Sequence, residues 1–322
     1  MRILLVKTSS LGDVIHNLPV AADLVRQFPG AEIDWCVEEG FADIPRLSPV
    51  VCNVIPVAVR RWRRSLFRPA TWREMSAARR QLARADYDAV LDSQGLLKSA
   101  LIARQANGVH LGYDARSARE PLAARFYDRC FPVPKDRHAV ERNRLLAAAA
   151  FGYAPSASID YGITAPAVDA PWLPASPFAV LLTATSRDDK LWPEAHWIAL
   201  AQALVNRGLT PILPAGSRVE QARAARIAGA VPGAIAAPPL SIRELAGLLG
   251  RARLAIGVDT GLAHFAAALA TPVVALYTAT APALTGVVGP GFACNLGGKG
   301  CPPSVDAVLD ACAGVISGMP RR

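Results

Sequence analysis

The chain has 322 residues, of which 52% are hydrophobic and only 19% are charged. This balance excludes a disordered protein, and the length most naturally makes two α/β domains that each bury a core. The net charge of +9 is unevenly distributed, because arginines concentrate in one segment of the first half. No signal peptide is expected, since the apolar run that follows Arg2 is far too short.

The first predicted element is a buried strand, Arg2–Val6, which leads into a loop of small residues. The loop ends at Asp13, close to the first turn of a helix that begins near Val14. A carboxylate at this position is commonly a helix cap. The alternative is a general base at the mouth of a cleft, since α/β sheets bind ligands at the carboxyl ends of their strands. The residues alone leave both interpretations open.

Strand and helix patterns alternate along most of the chain, which favours doubly wound parallel sheets. The Pro- and Ala-rich segment 154–177 predicts a linker between an N-terminal domain, 1–160, and a C-terminal domain, 161–322. The final helix has no obvious partner nearby and is expected to pack back on the first domain. The predicted strands are 2–6, 32–37, 54–59, 89–92, 178–182, 210–213, 254–258 and 273–277, and the predicted helices include 194–206 and 304–316.

A second loop has the features of an anion-binding turn. The strand 254–258 runs through Asp259, Thr260 and Gly261 into an alanine-rich helix. Asp259 or Thr260 can cap that helix, and glycine lets a ligand approach the backbone. A helix N-terminus at the end of a strand offers free N–H groups and a positive dipole end to a phosphate. The alternative is an ordinary strand-to-helix turn.

Several other kinds of site are not expected. The six cysteines have no metal-binding spacing, so free thiols in a reducing cytosol are the default. No Walker A loop and no GxGxxG motif after a strand is present, so neither that phosphate-binding loop nor an NAD site is predicted. The uncharged segment 265–298 is interrupted by Pro and Gly into pieces shorter than the roughly 20 apolar residues of a membrane span.

The basic segment contains Arg60, Arg61, Arg63 and Arg64, with aromatic residues among the arginines. Arginine in place of lysine favours bidentate recognition of phosphate or carboxylate. Nucleic acid is the obvious rival ligand, but no RNA- or DNA-binding module is visible. We therefore expect an anionic, membrane-embedded acceptor here, contacted through a surface that enters an interface. Solvated helix-face positions are expected for Arg79, Arg80 and Arg84, and the interleaved aromatics are Trp62, Phe67 and Trp72.

Many short blocks, in order over the whole chain, resemble the bacterial lipopolysaccharide heptosyltransferases of glycosyltransferase family 9, in their type I branch. A type II sequence would have a different first loop and Ser-Gly in place of Thr260-Gly261. The blocks are VKTSSLGDVIH at 6–16, VEEGF at 37–41, IPV at 55–57, RRWR at 60–63, DSQGLLKS at 92–99, AREPL at 118–122, HAVER at 138–142, ATSRDDK at 184–190 and VDTGL at 258–262.

The resemblance implies a GT-B fold, in which two doubly wound Rossmann-like domains face each other across a cleft. It implies transfer of L-glycero-D-manno-heptose from ADP-heptose to the first Kdo of Kdo2-lipid A, with inversion, in the synthesis of the lipopolysaccharide inner core. No cofactor and no dedicated metal site are implied. The enzyme would work on the cytoplasmic side of the inner membrane as a peripheral protein, and nucleic acid would not be a partner.

The resemblance also implies roles for individual residues. Asp13 would be the base that takes the proton of the attacking Kdo hydroxyl, and Lys190 would stabilise the departing ADP. Glu220 would hold the ribose hydroxyls and Leu240 would lie against the adenine. The other donor-binding residues would be Thr185, Ser186, Asp259, Thr260, Gly261 and His264, and the acceptor-binding residues would be Ser10, Gly12, Arg60, Arg61, Arg63, Arg64 and Arg119.

Two departures from the family pattern limit this transfer of roles. The family's Tyr-Gly-Pro-Thr-Asp-Pro is here 277–282 with Ala281 in place of the aspartate, and the family's Leu-Pro-Trp-Gly is here 213–216 with Ala215 in place of the tryptophan. No role is assigned to either alanine. Two alternatives stay open at this point: a glycosyltransferase of the same fold with another nucleotide-sugar donor, and a non-catalytic nucleotide-binding module.

Overall fold

The computed structural model describes residues 1–168 and 170–317, and the chain divides into two units, Met1–Ile163 and Thr164–Arg322. Each unit contains one sheet of six strands, and every strand pair in both sheets is parallel. Because parallel strands need helical crossovers that cover both faces of the sheet, the central strands are nearly continuous apolar runs.

The sheet of the first unit has the order β3-β2-β1-β4-β5-β6. The first strand therefore lies beside the fourth, and the direction in which strands are added reverses between them. In such sheets ligands bind beyond the carboxyl ends of the strands at this reversal. The strands are β1 (Arg2–Val6), β2 (Glu32–Glu38), β3 (Val51–Val57), β4 (Asp86–Asp92), β5 (Asn107–Tyr113) and β6 (Arg129–Phe131).

The helices of the first unit cover this sheet, and one apolar cluster joins Leu4, Val57 and Val90 of three strands to Leu82 of a helix. The helix α7 ends at Gly152, whose φ of 75° is the left-handed conformation that glycine adopts without strain. The helices are α1 (Leu11–Ile15), α2 (Leu18–Gln27), α3 (Asp43–Arg46), α4 (Val59–Trp62), α5 (Pro69–Leu82), α6 (Leu97–Ala103) and α7 (Ala139–Phe151).

The sheet of the second unit has the order β12-β11-β10-β7-β8-β9, so it repeats the topology of the first. Its reversal point lies between β7 and β10. Every residue of β7, β10 and β11 is buried, as expected for central parallel strands. The strands are β7 (Phe178–Leu182), β8 (Thr210–Leu213), β9 (Ile235–Ala236), β10 (Leu254–Val258), β11 (Val273–Tyr277) and β12 (Ala293–Gly297).

The last helix of the second unit has its partners within that unit. Val308 and Cys312 are fully buried in the apolar cluster that contains Trp197 and Leu200 of the first helix of this unit. The expectation that the last helix lacks a neighbour in its own domain is therefore wrong. The helices are α8 (Glu194–Val205), α9 (Arg218–Gly229), α10 (Ile242–Arg251), α11 (Gly261–Ala268) and α12 (Val305–Ser317).

Most of the predicted strands are confirmed, and the missed strands have few buried apolar residues. β1, β7, β8, β10 and β11 have the predicted bounds, while β3 begins and ends earlier than predicted. The edge strands β6, β9 and β12 and the strand β5 were not predicted, because many of their residues are only partly buried and lack a clear apolar run. Over the described ranges, no helix is long and apolar enough to cross a membrane.

Candidate functional site

The predicted base lies at the reversal point of the first sheet. Asp13 follows β1 and is part of α1, and Arg119 follows β5, which lies two strands from β1. The Arg119 guanidinium donates to both Asp13 carboxylate oxygens, at 2.8 Å to Oδ1 and 3.4 Å to Oδ2. Ser10 also donates to Asp13 Oδ2 from its backbone N–H at 3.0 Å. Three residues that the sequence assigned to the site are therefore in direct contact.

The capping interpretation of Asp13 is confirmed, and its role as a general base stays a prediction. Its contact with the Ser10 N–H is the capping interaction, since Ser10 is the N-cap residue of α1. Its contact with Arg119 joins positions 106 residues apart and has no role in capping the helix. The Asp13 side chain keeps 16% of its surface exposed, so the carboxylate remains open to a ligand.

The electrostatic surroundings keep Asp13 ionised. Burial by itself raises the pKa of this carboxyl, but the positive charges of Lys7 and Arg119 and the Ser10 N–H outweigh burial and hold the pKa below its ordinary value of 3.8. A carboxylate with such a pKa is a proton acceptor at every physiological pH. The same charges reduce its basicity, so proton transfer is favoured only when the attacking hydroxyl has begun to lose electron density.

Lys7 is a site residue that was not predicted from the sequence. Its ammonium donates to Ser93 O at 2.7 Å and to Asn143 Oδ1 at 3.2 Å, and only 4% of the residue is exposed. Burial lowers its pKa to about 8, with the nearby Asp13 charge opposing that shift. The sequence did contain a signal for this role. A lysine directly after a buried strand, in a loop of small residues, is expected to be buried, and a buried charge requires polar partners.

Gln94 is a second residue whose role the sequence did not reveal. Its Oε1 accepts from Thr8 N at 2.9 Å and Ser9 N at 3.2 Å, and its amide nitrogen donates to Ser9 O. Gln94 is itself fixed by Asp92, whose Oδ1 accepts from the Gln94 N–H at 2.8 Å. The side chain thus holds the backbone of the loop that carries Asp13. We refer to these bonds as the Gln94 clamp.

Three of the predicted donor residues of the second unit are in contact at the equivalent reversal point, where β7 and β10 end. Lys190 Nζ donates to Asp259 Oδ2 at 2.7 Å, and Thr280 Oγ1 donates to the same oxygen at 2.6 Å. Thr185 Oγ1 donates to Asp259 O at 3.0 Å. Lys190, Asp259 and Thr185 were predicted from the sequence, whereas Thr280 was missed.

Of the two residues expected to cap α11, Asp259 does not occupy the N-cap position. Thr260 is the N-cap residue of α11, with extended backbone, and it makes no side-chain capping bond there. The Asp259 carboxylate instead pairs with Lys190 across a separation of 69 positions in the chain. The side chain of the N-cap residue therefore leaves the first backbone N–H groups of α11 uncapped. Gly261 is half-buried in its first turn, and His264 is buried with a partner.

A cavity of about 500 Å³ lies beside this cluster, lined by residues that include Thr185, Ser217, Glu220 and Arg223. Glu220 Oε2 accepts from the N–H groups of Gly216 and Ser217, so this residue both caps α9 and borders the cavity. Leu240 is half-buried before α10 and is not among the residues that line the cavity. Ser186 is exposed in the loop after β7.

The arginines of the basic segment 60–64 differ in their contacts. Arg61 donates to both carboxylate oxygens of Glu39 at 3.0 Å and to Glu74 at 2.8 Å, so its charge is neutralised within the chain. The Arg60 guanidinium lies 5.3 Å from the centre of the Phe41 ring. Within residues 1–168 and 170–317, Arg63 and Arg64 have no carboxylate in salt-bridge contact.

Neither a metal-ligand cluster nor a disulfide is found among the described residues. Among the described residues, no three or more His, Cys, Asp or Glu side chains lie close enough to hold a metal ion. The cysteines Cys36, Cys52, Cys130, Cys294, Cys301 and Cys312 carry free thiols. The contacts found at the two reversal points are hydrogen bonds and ion pairs within the chain.

Comparison with known proteins gives the family. The family model described as glycosyltransferase family 9 (heptosyltransferase) matches residues 75–310. Lipopolysaccharide heptosyltransferase 1 of Pseudomonas aeruginosa is 47% identical over 292 residues, which cover 90% of this chain and 82% of that protein. The chain belongs to glycosyltransferase family 9. It is therefore a glycosyltransferase, as the motifs predicted.

Solved structures give the fold. The structure of E. coli heptosyltransferase WaaC with ADP is similar with a TM-score of 0.90 and 42% identity, over 98% of this chain and 100% of that one. The structure of WaaC with ADP-2-deoxy-2-fluoro heptose gives a TM-score of 0.86 and 41% identity, over 98% and 99% of the two chains. The predicted GT-B fold of two doubly wound α/β domains is confirmed.

Proposed function

We propose that the protein transfers L-glycero-D-manno-heptose from ADP-heptose to the first Kdo of Kdo2-lipid A, with inversion and without a metal ion, in lipopolysaccharide core synthesis. The observation that carries this proposal is the ionised Asp13 carboxylate, held by Arg119 and Lys7 where the strands β1 and β4 end. Binding a nucleotide would not require an ionised carboxylate at that point in the first unit. A non-catalytic nucleotide-binding module is therefore disfavoured.

The first unit supplies the base and the acceptor-binding residues in this proposal. The Kdo hydroxyl oxygen attacks the anomeric carbon from the face opposite ADP, and its proton passes to Asp13 as the new glycosidic bond forms. A positioned base typically contributes about 10²–10⁴-fold to the rate. Ser10 and Gly12 border this carboxylate in the same loop, and Arg119 lies against it with 49% of its side chain exposed. Arg119 can therefore contact the acceptor's carboxylate while it pairs with Asp13.

The second unit supplies the donor-binding residues. The bond between the anomeric carbon and the phosphate oxygen breaks, and ADP leaves with the electron pair. Lys190 neutralises this charge after exchanging Asp259 for the pyrophosphate, and the N–H groups at Thr260 and Gly261 add donors. Thr185 and Ser186 contribute hydroxyl groups, Glu220 holds the ribose from the edge of the cavity, and Leu240 and His264 complete the donor site. The similar structures with ADP and with ADP-2-deoxy-2-fluoro heptose support this choice of nucleotide.

The acidic acceptor is held by the arginine segment, with unequal contributions. Arg63 and Arg64 are exposed and have no carboxylate partner among the described residues, so their charges are available to a phosphate or carboxylate. Arg60 is also exposed, whereas Arg61 must exchange Glu39 and Glu74 before it can bind an anion. The acceptor is embedded in a bilayer, so we also propose that the protein associates peripherally with the cytoplasmic side of the inner membrane.

The test combines a transfer assay with a ligand panel. Purified protein with ADP-heptose and Kdo2-lipid A should yield a product heavier by one heptose, with the anomeric configuration inverted when read by NMR. In a thermal-shift panel, ADP should stabilise the protein more than UDP, GDP or NAD, since ligand at 100 times its Kd stabilises by about 2.7 kcal/mol. Greater stabilisation by UDP or GDP, or no product, would contradict the proposal.

A further inference from the structure

An open apolar groove lies on the first unit, outside the residues assigned to the reaction. It has a volume of about 450 Å³ and runs between α5 and α6 beyond the end of β3. Trp62, Trp72 and Met75 line one side, and Leu101 and Ile102 line the other. Trp72 is 57% exposed and Leu101 is 46% exposed, so this apolar surface faces solvent.

The turn before α5 carries two more exposed apolar side chains. Phe67 is fully exposed and Leu66 is 44% exposed. The turn is tied to the groove wall, because Trp72 Nε1 donates to Leu66 O at 2.8 Å. Single exposed apolar residues are ordinary, but a contiguous group of aromatic and aliphatic side chains beside a groove marks a binding surface.

The charge around the groove indicates what occupies it. Residues 60–84 contain nine arginines and a single carboxylate, Glu74. Glu74 is already bonded to Arg61 and to Trp62 Nε1, so it neutralises none of the other eight arginines. Arg79 lines the groove itself. An apolar groove bordered by Arg79, on a helix with an excess of arginines, is complementary to an anionic amphiphile.

We propose that this groove holds an acyl chain of an anionic membrane phospholipid, with the α5 arginines Arg73, Arg79 and Arg80 on the lipid phosphates. The aromatic and arginine composition is that of proteins that insert one face into the headgroup region of a bilayer. The proposal deepens, and rests on, the membrane association proposed above. It requires neither the acceptor sugar nor the donor, so it can be tested without turnover.

The experiment uses the full chain and vesicles of phosphatidylglycerol and phosphatidylcholine whose acyl chains carry bromine, a quencher of tryptophan fluorescence. Trp62 and Trp72 line the groove, so we expect quenching on binding, and we expect most of it to disappear in the double variant Trp62→Phe/Trp72→Phe. Vesicles of phosphatidylcholine alone should bind weakly, because the arginines then lose their anionic partner.

Two neighbouring substitutions distinguish the effect of filling the groove from the effect of a bulky side chain elsewhere on α5. Ser76 and Ala77 are both exposed on α5, but only Ser76 lines the groove. Ser76→Phe should fill it and raise the apparent Kd for phosphatidylglycerol vesicles about tenfold, as expected when roughly two methylene groups lose their apolar surroundings. Ala77→Phe is the matched control and should bind like the wild type.

Three outcomes would overturn the proposal: equal binding by the two phenylalanine variants, binding without quenching of Trp62 and Trp72, or equal binding to neutral vesicles. Binding without quenching would indicate simple adsorption of the arginines to the vesicle surface. Heptose transfer to a water-soluble acceptor without acyl chains should be unchanged in Ser76→Phe. A protein that binds vesicles as predicted but makes no product would contradict the proposed function and leave the groove proposal intact.

Discussion

The loop after β1 and the loop after β7 occupy the same place in two sheets of identical strand order, yet they are held in different ways. In the first unit, the loop backbone at Thr8 and Ser9 is buried and bonded to the Gln94 side chain. In the second unit, the residues 186–189 are exposed. Lys190 there pairs with the carboxylate of Asp259.

This difference matches the chemistry proposed for each unit. A base must be positioned before the acceptor arrives, so the cost of ordering its loop is met during folding by buried hydrogen bonds. A cation that binds the charge of a departing diphosphate can exchange one anion for another. The Asp259 carboxylate can therefore pair with Lys190 in the free enzyme and give way to the diphosphate. In the proposed mechanism, the first unit supplies a base that is positioned in advance, and the second supplies a cation that exchanges one anion for another.

The largest effect is expected for the base. Asp13→Asn should lower kcat by about 10²–10⁴-fold, because the amide cannot accept the proton of the attacking hydroxyl. The affinity for ADP should hardly change, since the proposed donor residues belong to the other unit. Turnover on Kdo2-lipid A and isothermal titration with ADP measure the two quantities. Activity above about a tenth of the wild-type value would remove Asp13 from this role.

Lys190→Ala tests the exchangeable site. It should lower kcat by about 10²–10³-fold, the usual cost of losing one donor to charge that develops in the transition state. The KM for Kdo2-lipid A should not move. Arg187→Ala is the control, since Arg187 is exposed in the same loop and pairs with Asp189. If Lys190→Ala changed only the acceptor KM, the lysine would belong to acceptor binding and the comparison between the units would fail.

The Gln94 clamp gives the next largest effect. Gln94→Leu leaves the N–H groups of Thr8 and Ser9 buried without an acceptor, which costs about 1–3 kcal/mol per group. We expect a lower melting temperature together with a lower kcat at unchanged KM for ADP-heptose. Gln202→Leu is the control, since Gln202 is exposed on α8 and its amide donates to Asn206 Oδ1 one turn further along the chain.

Gln94→Glu tests whether the Gln94 clamp positions the loop that carries Asp13 or only stabilises the fold. The carboxylate keeps both acceptor bonds but cannot donate to Ser9 O unless it is protonated. Activity relative to the wild type should therefore rise as the pH falls. A Gln94→Leu variant that is less stable but has the wild-type kcat would show that the clamp serves only the fold.

The smallest effect concerns the charge of Lys7. Burial lowers its pKa to about 8, so the ammonium is charged below that pH and loses its proton as the pH rises through it. If this charge helps to bind the acidic acceptor, the KM for Kdo2-lipid A should rise about tenfold above pH 8, the scale of one charge-assisted hydrogen bond.

Lys7→Met should have a raised KM that no longer depends on pH in this range. Lys299→Met, at an exposed lysine of the second unit, should keep the wild-type profile. A wild-type KM that stays constant from about pH 7 to about pH 9 would contradict a role for Lys7 charge in acceptor binding.

The sequence by itself determined the class of fold, the central strands and the loops that carry the chemistry. Apolar runs such as Phe178–Leu182 predict buried parallel strands because so many consecutive apolar side chains must be covered on both faces. Parallel strands place their following loops at one edge of the sheet. The residue pattern thus raised Asp13 and Asp259 as candidates, whereas Arg119 and Lys190 were predicted only through the resemblance to the family.

Only the tertiary structure decided which charges are paired and which are available. The partners of Arg61 are Glu39 and Glu74, those of Asp13 include Arg119, and Gln94 reaches back to Ser9 across 85 positions. Such partnerships depend on which strands become neighbours, and the local pattern of a segment carries no information about them. The edge strands β6, β9 and β12 were missed for the same reason, since their stability comes from pairing with a neighbour and not from their own apolar residues.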